Sequence, residues 1–360
     1  MIWILALIAF ACALTTLAGF FPLPHGLLRI FDFPRLQNAF IAAAGLITTL
    51  LLVEASVLRT LVLLAFAFTM AVQAYAILRF TPLWKSRSHA FDGDPECVPT
   101  ASFFVSNVKM GNRQYEKVRE RMAEANADIC VFIETDADWI EGLYVDSERY
   151  PFSVSHPMDN GYGMHLVSRY RIIKHEVLFR LNEEVPSFDL MVEHPSGPRF
   201  RLITVHPEPP IATRDTVGRD AELALIGKEV RDYGEPLIVT GDLNDVAWSH
   251  STRRFKRISK LLDPREGRGM FNTFHADYFF LRWPLDHAFH SPHFKLIAIK
   301  RMAHIGSDHF PMYYRLALTD TQKPKRENSE ATAQDFEEAD ELIVEEKQRD
   351  RRPIGTDWEN

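Results

Sequence analysis

The chain has 360 residues and a formal net charge of −7, which is enough length for one large domain with accessory segments. Residues 101–318 are close to neutral, which excludes the strongly basic field that proteins use to bind long nucleic acids mainly through phosphates. The three cysteines, Cys12, Cys97 and Cys130, form no CxxC pair, so neither a disulfide framework nor a thiolate zinc site is expected.

Three apolar segments near the N-terminus predict membrane helices. They cover about residues 2–21, 39–57 and 61–79, close to the roughly 20 residues that cross a bilayer. The alternative is a set of buried helices in a soluble protein. The basic residues collect beside the first loop and after the third span; they are Arg29, Arg35, Arg79, Lys85 and Arg87. The positive-inside rule then predicts a multi-pass protein of the cell membrane whose remaining chain is cytoplasmic.

After the spans, residues 81–100 are rich in turn formers and are predicted to be a linker. The region 101–318 alternates strand-like runs with helical periodicity. Strands are predicted at 101–108, 129–133, 164–168, 200–205 and 237–240, and helices at 114–127, 215–233 and 252–262. Many strands with few helices favour an α+β fold in which sheets pack face to face with helices outside. Residues 319–360 are charged, poor in apolar side chains and predicted to be a disordered tail.

Polar side chains stand at the ends of the predicted strands, where a rigid scaffold can direct them into one cleft. In chain order they are Asn107, Glu134, His206, Asp242, Asn244, Asp286, Asp308 and His309. Each has an ordinary explanation when taken alone, since Gly-Asp-Leu-Asn, for example, is also a common turn. Their occurrence together in one domain favours a catalytic site.

The residue types in this set suit phosphoester hydrolysis assisted by a hard divalent cation, which prefers carboxylate oxygens. Glu134 is the predicted principal ligand of Mg²⁺, with Asp308 as a second ligand and Asn107 nearby; Mn²⁺ is an alternative ion. Asp242 is predicted to activate water, and Asn244 to orient that water or to hold a phosphate oxygen.

A carboxylate beside an imidazole fixes its tautomer and favours its charged form. Asp286 is expected to fix the His309 ring in this way, so that His309 can stabilise the negative charge of the transition state.

The order of these motifs resembles the endonuclease/exonuclease/phosphatase family over residues 101–318. The resemblance rests on Glu134, on Gly-Asp-Leu-Asn at 241–244, on Ser-Asp-His at 307–309 and on the glycine-containing run at 161–169. It implies a four-layered α/β sandwich of the deoxyribonuclease I type, with the site at one edge of the two sheets. It also implies that His206 protonates the leaving oxygen or binds phosphate, although the two histidines could exchange roles.

Two features depart from that family pattern or add to it. Lys109 stands where repair nucleases of the family carry an acidic residue, which counts against an abasic-site nuclease. A basic stretch follows the Asp242 motif and is interpreted as a solvated helix face, or as a surface for substrate phosphates or anionic lipid headgroups. It consists of Arg253, Arg254, Lys256, Arg257 and Lys260.

The sequence therefore predicts a metal-dependent phosphoesterase anchored in a membrane. Its substrate would be a phosphate ester carried by a lipid, a small molecule or a nucleic acid. The alternatives are a nuclease acting on DNA or RNA, and a membrane scaffold that keeps the fold without catalysis.

Overall fold

The computed structural model describes residues 1–21, 23–319 and 330–356. Three apolar helices pack together at the N-terminus: α1 (Ile2–Ala18), α3 (Arg35–Leu52) and α4 (Val57–Leu78), with the short α2 (Gly26–Ile30) between the first two. Two of the three predicted spans, α3 with 18 residues and α4 with 22, are long and apolar enough to cross a membrane, whereas α1 is shorter, with 17.

Polar side chains join the three helices at the end that faces the rest of the chain. Arg35, at the start of α3, pairs with Asp32 and donates to Gln73 Oε1 of α4 at 3.2 Å. Gln73 in turn donates to Thr16 Oγ1 of α1 at 2.8 Å. These buried groups satisfy one another, which fixes how the three helices sit against each other.

The first sheet has six strands. In spatial order they are β10 (Phe294–Arg301), β11 (Met312–Leu318), β1 (Thr100–Asn107), β2 (Ile129–Ile133), β4 (Met164–Ser168) and β3 (Phe152–His156). Strands β1 and β2 are parallel because α5 (Tyr115–Ala125) crosses over between them, and the other neighbours are antiparallel.

The second sheet has five strands in the order β5 (Arg171–Phe179), β6 (Pro186–Glu193), β7 (Arg199–Val205), β8 (Leu237–Asp242) and β9 (Asp286–His290). Only β7 and β8 are parallel in this sheet, and α7 (Val217–Val230) connects them. Each sheet therefore has one parallel pair at its centre, so strand ends with functional side chains are brought to the same edge.

The two sheets pack face to face through a shared apolar core that includes Phe103, Val131, Leu190 and Leu202. Helices α5 and α6 (Ala137–Leu143) cover the outer face of the first sheet, and α7 and α8 (His250–Ser259) cover the second. This is the predicted four-layered α+β sandwich, and the prediction of fold class is confirmed.

The predicted linker lies against the domain instead of running free. Ala90 forms a β-bridge with Leu296 of β10, and Phe91 N donates to the Leu296 carbonyl at 2.8 Å. Buried Ser88 lies 2.7 Å from His290 Nε2, measured from its hydroxyl oxygen. The composition of this segment indicated turns correctly but did not reveal these contacts.

The charged tail differs from the predicted disorder over part of its length. Residues Ala333–Lys347 form α9, which begins with a capping box between Thr332 and Asp335. Ala339, Leu342 and Ile343 face one side and pack against α7. Charge-rich composition concealed this narrow apolar stripe. Residues 320–329 and 357–360 of the predicted tail lie outside the described residues.

The basic stretch on α8 has acidic partners within the protein. Arg254 pairs with Glu338 of α9 at 3.2 Å and Arg257 pairs with Asp335 of α9. Lys256 pairs with Glu266 at 2.5 Å. These contacts correct the interpretation of a solvated or phosphate-binding face, because most of this charge is neutralised by neighbouring carboxylates.

Candidate active site

The eight predicted site residues converge at the edge where the parallel strands of both sheets end. Six of them line a cavity of about 480 Å³ there: Glu134, His206, Asp242, Asn244, Asp308 and His309. The other two, Asn107 and Asp286, stand behind this wall and hydrogen-bond to its members. Side chains that are up to 175 positions apart in the sequence (Glu134 to His309) therefore face one space.

The Gly241 backbone lets β8 end beside β7. Gly241 has a φ of +147°, and a Cβ at this position would lie 1.9 Å from the Val205 carbonyl oxygen. A side chain is therefore excluded, and glycine brings Asp242 next to the end of β7, where His206 follows. Glu134 and Asn244 also adopt left-handed backbone conformations, with φ of +63° and +51°.

Glu134 is a partly buried carboxylate, with a side chain that is 23% exposed, and it is held by neutral donors. Asn107 Nδ2 donates to its Oε1 at 2.7 Å, and Met110 N donates to its Oε2 at 3.4 Å. Burial raises the pKa of Glu134 to about 7; the Asn107 hydrogen bond opposes this rise, and the nearby Asp308 carboxylate adds to it. A carboxylate in this condition fits a cation, because a divalent charge would offset the cost of keeping it ionised.

Asp308 and Lys109 form an ion pair at the mouth of the cavity, with 3.1 Å between Lys109 Nζ and Asp308 Oδ2. Burial alone would raise the pKa of Asp308, but His309 and Lys109 together hold it below its usual value. Lys109 thus belongs to the site, although the sequence marked it only as a departure from the family pattern.

His309 lies between two carboxylates. Its Nδ1 is 2.8 Å from Asp286 Oδ2, and its Nε2 is 3.5 Å from Asp242 Oδ2. Burial by itself would lower the pKa of His309, but Asp242 and Asp286 outweigh burial and raise that pKa to about 10. The two carboxylates therefore favour the charged form of the imidazole at neutral pH.

Asp242, Asp286 and His309 could also be considered as a metal group, since their candidate ligand atoms lie within 4.8 Å of one another. A charged imidazole has no free nitrogen lone pair for a metal. Both ring nitrogens of His309 already lie near carboxylate oxygens, which suits a hydrogen-bonded charge centre, and the prediction of Glu134 and Asp308 as cation ligands is kept.

Asp242 and Asn244 are fixed by hydrogen bonds to the backbone and to each other. Asn244 N donates to Asp242 Oδ1 at 2.9 Å, and Asn107 Nδ2 donates to Asp242 Oδ2 at 3.0 Å. Burial raises the pKa of Asp242, and His309 opposes the rise. Asn244 Nδ2 donates to the Pro207 carbonyl at 3.0 Å, which connects the ends of β7 and β8.

His206 is the neutral histidine of the site. Burial lowers its pKa to about 4, and its Nε2 lies 3.8 Å from Glu134 Oε1. Among the described residues, none hydrogen-bonds to His206 Nδ1, although this atom is buried. The Tyr162 ring packs against the imidazole with 5.2 Å between ring centroids.

Several residues that line the cavity were not predicted from the sequence. Phe33 comes from the segment before α3, and the Phe274 ring lies 5.0 Å from the His309 ring. Gly355 and Thr356 reach the cavity from the C-terminal segment. No sequence signal identified them, because they are apolar or small and lie far from the polar motifs.

The C-terminal segment is held at the cavity by Arg351, whose guanidinium nitrogens lie 2.7 and 2.8 Å from the two carboxylate oxygens of Glu208. Ile354 N also donates to Glu208 Oε1 at 3.0 Å, and Tyr162 donates to the Ile354 carbonyl. This two-pronged pairing fixes the segment in one orientation.

Comparisons with known proteins agree with this architecture. The profile of the Endonuclease/Exonuclease/phosphatase family matches residues 105–309. No curated protein sequence matches the chain. Among solved structures, an endonuclease/exonuclease/phosphatase family protein from Bacteroides thetaiotaomicron is 18% identical with a TM-score of 0.50, over 64% of this chain and 98% of that one.

Two further solved structures are similar to the same extent. The human Nocturnin catalytic domain with bound sulfate anion is 15% identical, with a TM-score of 0.50 over 64% of this chain and 97% of that one. D. rerio TDP2 complexed with single strand DNA product is 15% identical, with a TM-score of 0.50 over 60% of this chain and 98% of that one. At these identities the similarity shows the fold alone.

Proposed function

The chain belongs to the endonuclease/exonuclease/phosphatase family, whose members hydrolyse phosphoester bonds, and from this we propose that it is a metal-dependent phosphoesterase anchored in a membrane. The observation that supports the proposal most is the convergence of Glu134, Asp242 and His309 on one cavity. This convergence would put acid, base and cation-binding groups within reach of a single phosphate.

Glu134 and Asp308 would hold the metal, and Asn107 would position Glu134 for it. The donors are carboxylate oxygens, which suits Mg²⁺ and also Mn²⁺. When bound, the ion would neutralise phosphate charge and so lower the barrier to attack at phosphorus.

Asp242 is proposed as the base that takes a proton from the attacking water, with Asn244 keeping its carboxylate in place. His309, charged and aligned by Asp286, would stabilise the phosphate oxygens as they gain negative charge. Because the pKa of His206 is lowered, this histidine would be neutral when it binds a phosphate oxygen and would not carry a proton to donate.

The membrane anchor is proposed from α3 and α4, with α1 packed beside them. The domain would be cytoplasmic. Arg29 and Arg35 contribute less to that assignment than their charge suggests, because each is buried and paired, with Asp220 and Asp32 respectively. The argument from positive charge therefore depends on the basic residues after α4.

Hydrolysis of bis(p-nitrophenyl) phosphate by the purified full chain in detergent tests the catalytic proposal. We expect activity with Mg²⁺, loss of activity with EDTA, and a decrease of about 10²-fold or more in Glu134→Gln. Glu148→Gln, at an exposed position, serves as the matched control. A hydrolysis rate that changes neither with EDTA nor with Glu134→Gln would contradict the proposal.

A nuclease is the second candidate, and it is favoured by the similarity of fold to D. rerio TDP2, which was solved with a single strand DNA product. A single-stranded oligonucleotide in the same assay tests it. Cleavage that depends on Glu134, at a rate above that of the generic diester, would favour the nuclease.

A further inference from the structure

Four consecutive large side chains are exposed in the loop before β9. We name residues 278–281 the aromatic loop; Tyr278, Phe279, Phe280 and Leu281 are 51%, 80%, 57% and 37% exposed. Contiguous exposed apolar surface of this kind often marks a site that binds a membrane or another protein. Tyrosine and phenylalanine are also among the residues that sit well at the boundary between lipid and water.

The aromatic loop is attached to the helix bundle at the end nearest the domain. Gln37, in the first turn of α3, donates through Nε2 to the Phe280 carbonyl at 2.7 Å. Phe40, less than one turn further along α3, is 69% exposed, as a side chain facing lipid would be. The loop therefore lies at the level where this candidate span would enter the bilayer.

A second apolar segment is exposed between α1 and α2. Phe20, Phe21 and Leu23, between the two helices, are 62%, 57% and 58% exposed, and Leu27 in α2 is 48% exposed. Apolar side chains thus occur both after the first helix and beside the start of α3. A membrane surface around the bundle would cover both.

The aromatic loop leads directly into the site. His275 N donates to the Leu281 carbonyl at 3.0 Å, and Ala276 N donates to the Asp308 carbonyl at 2.6 Å. Phe274, one position earlier, packs against His309. The loop and the catalytic residues are therefore parts of one connected segment.

The cavity is lined by both polar and apolar side chains. Phe33, Phe274 and Leu285, together with two prolines, add apolar surface to a cavity that is also lined by the carboxylates and histidines, and the Phe274 ring packs against His309. Phe33 belongs to the segment that enters α3, so this apolar surface continues towards the bundle. Such a cavity suits an amphiphilic substrate with a phosphate at one end and hydrocarbon at the other.

We propose, building on the phosphoesterase function above, that the aromatic loop lies in the headgroup layer and that the substrate is a membrane lipid. Its headgroup phosphoester enters the cavity from the bilayer surface. Hydrolysis consumes one water: the hydroxyl adds to phosphorus, the bond from phosphorus to the leaving alcohol oxygen breaks, and that oxygen takes the proton.

Two diesters with the same leaving group test this substrate class. One is bis(p-nitrophenyl) phosphate in solution, and the other is dioleoylphosphatidyl-p-nitrophenol in phosphatidylcholine vesicles that contain the full chain. We expect Phe279→Ser with Phe280→Ser to lower the lipid rate about tenfold or more and to leave the soluble rate within about twofold, because neither side chain lines the cavity. Tyr144 directly follows α6 and is 84% exposed, so Tyr144→Ser is the matched control and should alter neither rate.

The outcomes separate this inference from the proposed function. A lipid rate that the double substitution leaves unchanged, or wild-type hydrolysis of the soluble diester alone, would overturn the lipid inference. Absence of hydrolysis of both diesters would overturn the phosphoesterase proposal itself.

A second measurement locates the loop without using activity. A fluorescent dye on Phe279→Cys, in a Cys97→Ser background, should be quenched by nitroxide-labelled phosphatidylcholine, whereas a dye on Tyr144→Cys should not. Cys12 and Cys130 are buried and should stay unlabelled. Equal quenching at positions 279 and 144 would overturn the placement of the loop.

Discussion

At the scale of single residues, the hydrogen bond between Asp286 and His309 controls the charge of the site. Asp286 Oδ2 holds His309 Nδ1 at 2.8 Å, and both side chains are almost fully buried. Without this carboxylate, the His309 ring loses the partner that sets its orientation. It also loses one of the two carboxylates, Asp242 and Asp286, that raise its pKa. The contact therefore acts on catalysis through His309.

Asp286→Asn is expected to lower kcat for bis(p-nitrophenyl) phosphate by about 10²-fold with a smaller change in KM, because the lost interaction matters most as charge develops. Asp232→Asn, at a side chain that is 82% exposed, is the control. An unchanged kcat in Asp286→Asn would remove His309 from the proposed mechanism.

Gly241 supplies a prediction about stability. Gly241→Ala would place a Cβ 1.9 Å from a backbone carbonyl in a strained backbone region, and we expect a loss of about 3 kcal/mol in unfolding free energy. Gly234→Ala meets no atom within 4 Å and should change stability by less than about 0.5 kcal/mol. Thermal unfolding in detergent measures both; equal melting temperatures would show that β8 can shift without cost.

Buried His165 predicts a dependence of stability on pH. Burial lowers its pKa from 6.5 to about 4, and its ring stacks on Phe132. Protonation of His165 therefore favours the unfolded chain. The resulting loss of unfolding free energy is small above pH 6.5 and reaches about 2 kcal/mol at pH 5. His165→Gln should lose less stability than wild type between pH 7 and pH 5. Parallel curves for the two proteins would refute the assignment.

The polar residues of the site could be predicted from the sequence because metal and proton chemistry restricts the residue types that serve it. The structure brings together Asn107, Glu134 and the others as one group, although their roles stay predictions. Phe33 and Phe274 could not be predicted, since an apolar residue beside a site has the same pattern as one in the core. Lys109 was noticed, but its ion pair with Asp308 depends on tertiary geometry.

At the scale of elements, α8 and α9 form an electrostatic pair. Arg257 Nε donates to Asp335 Oδ2 at 2.9 Å, and Asp335 also caps α9 through Thr332. Burial would raise the pKa of Asp335, but these contacts lower it to about 2. The acidic C-terminal helix thus neutralises the basic helix beside it.

Arg257→Ala is expected to lower the unfolding free energy by about 1 kcal/mol, and the difference should shrink in 1 M NaCl because screening weakens the wild-type pair. Arg171→Ala, whose side chain is 68% exposed and 3.8 Å from Glu193, should cost less. Urea unfolding at two salt concentrations measures the effect. If the loss of unfolding free energy were the same at both salt concentrations, Arg257 would stabilise the protein by packing and not by its charge.

The elements that were predicted correctly share a continuous apolar run, as in β2, or clear helical spacing, as in α5. The edge strand β5 was missed because its residues are mostly exposed or half-buried and show no regular alternation. α9 was missed because tertiary pairing with α8, and not composition, stabilises it.

At the scale of the whole molecule, the helix bundle and the domain share an interface. Trp248 Nε1 donates to the Asp32 carbonyl at 2.7 Å, and its ring packs edge-on against Phe80 at 5.9 Å. Phe33 and Leu285 complete this apolar cluster. The helix bundle is therefore packed onto the domain and is not joined to it through a free tether.

Trp248→Ala is expected to cost about 3 kcal/mol or more, since it removes a large buried side chain at this interface and one hydrogen bond. Trp248→Phe, which retains most of the volume, should lose less. Trp3→Ala, 75% exposed on the bundle, is the control. A Trp248→Ala protein as stable as wild type would mean that the two parts fold independently.

The C-terminal segment at the cavity has a practical consequence. Gly355 and Thr356 form part of the cavity wall, and Gly355 approaches Pro209 and the Tyr162 hydroxyl. An affinity tag or reporter fused directly after Thr356 would begin beside the wall of this cavity. A purified protein with such an appendage could therefore look inactive for reasons unrelated to its chemistry, and the turn between α3 and α4 is a safer place for insertion.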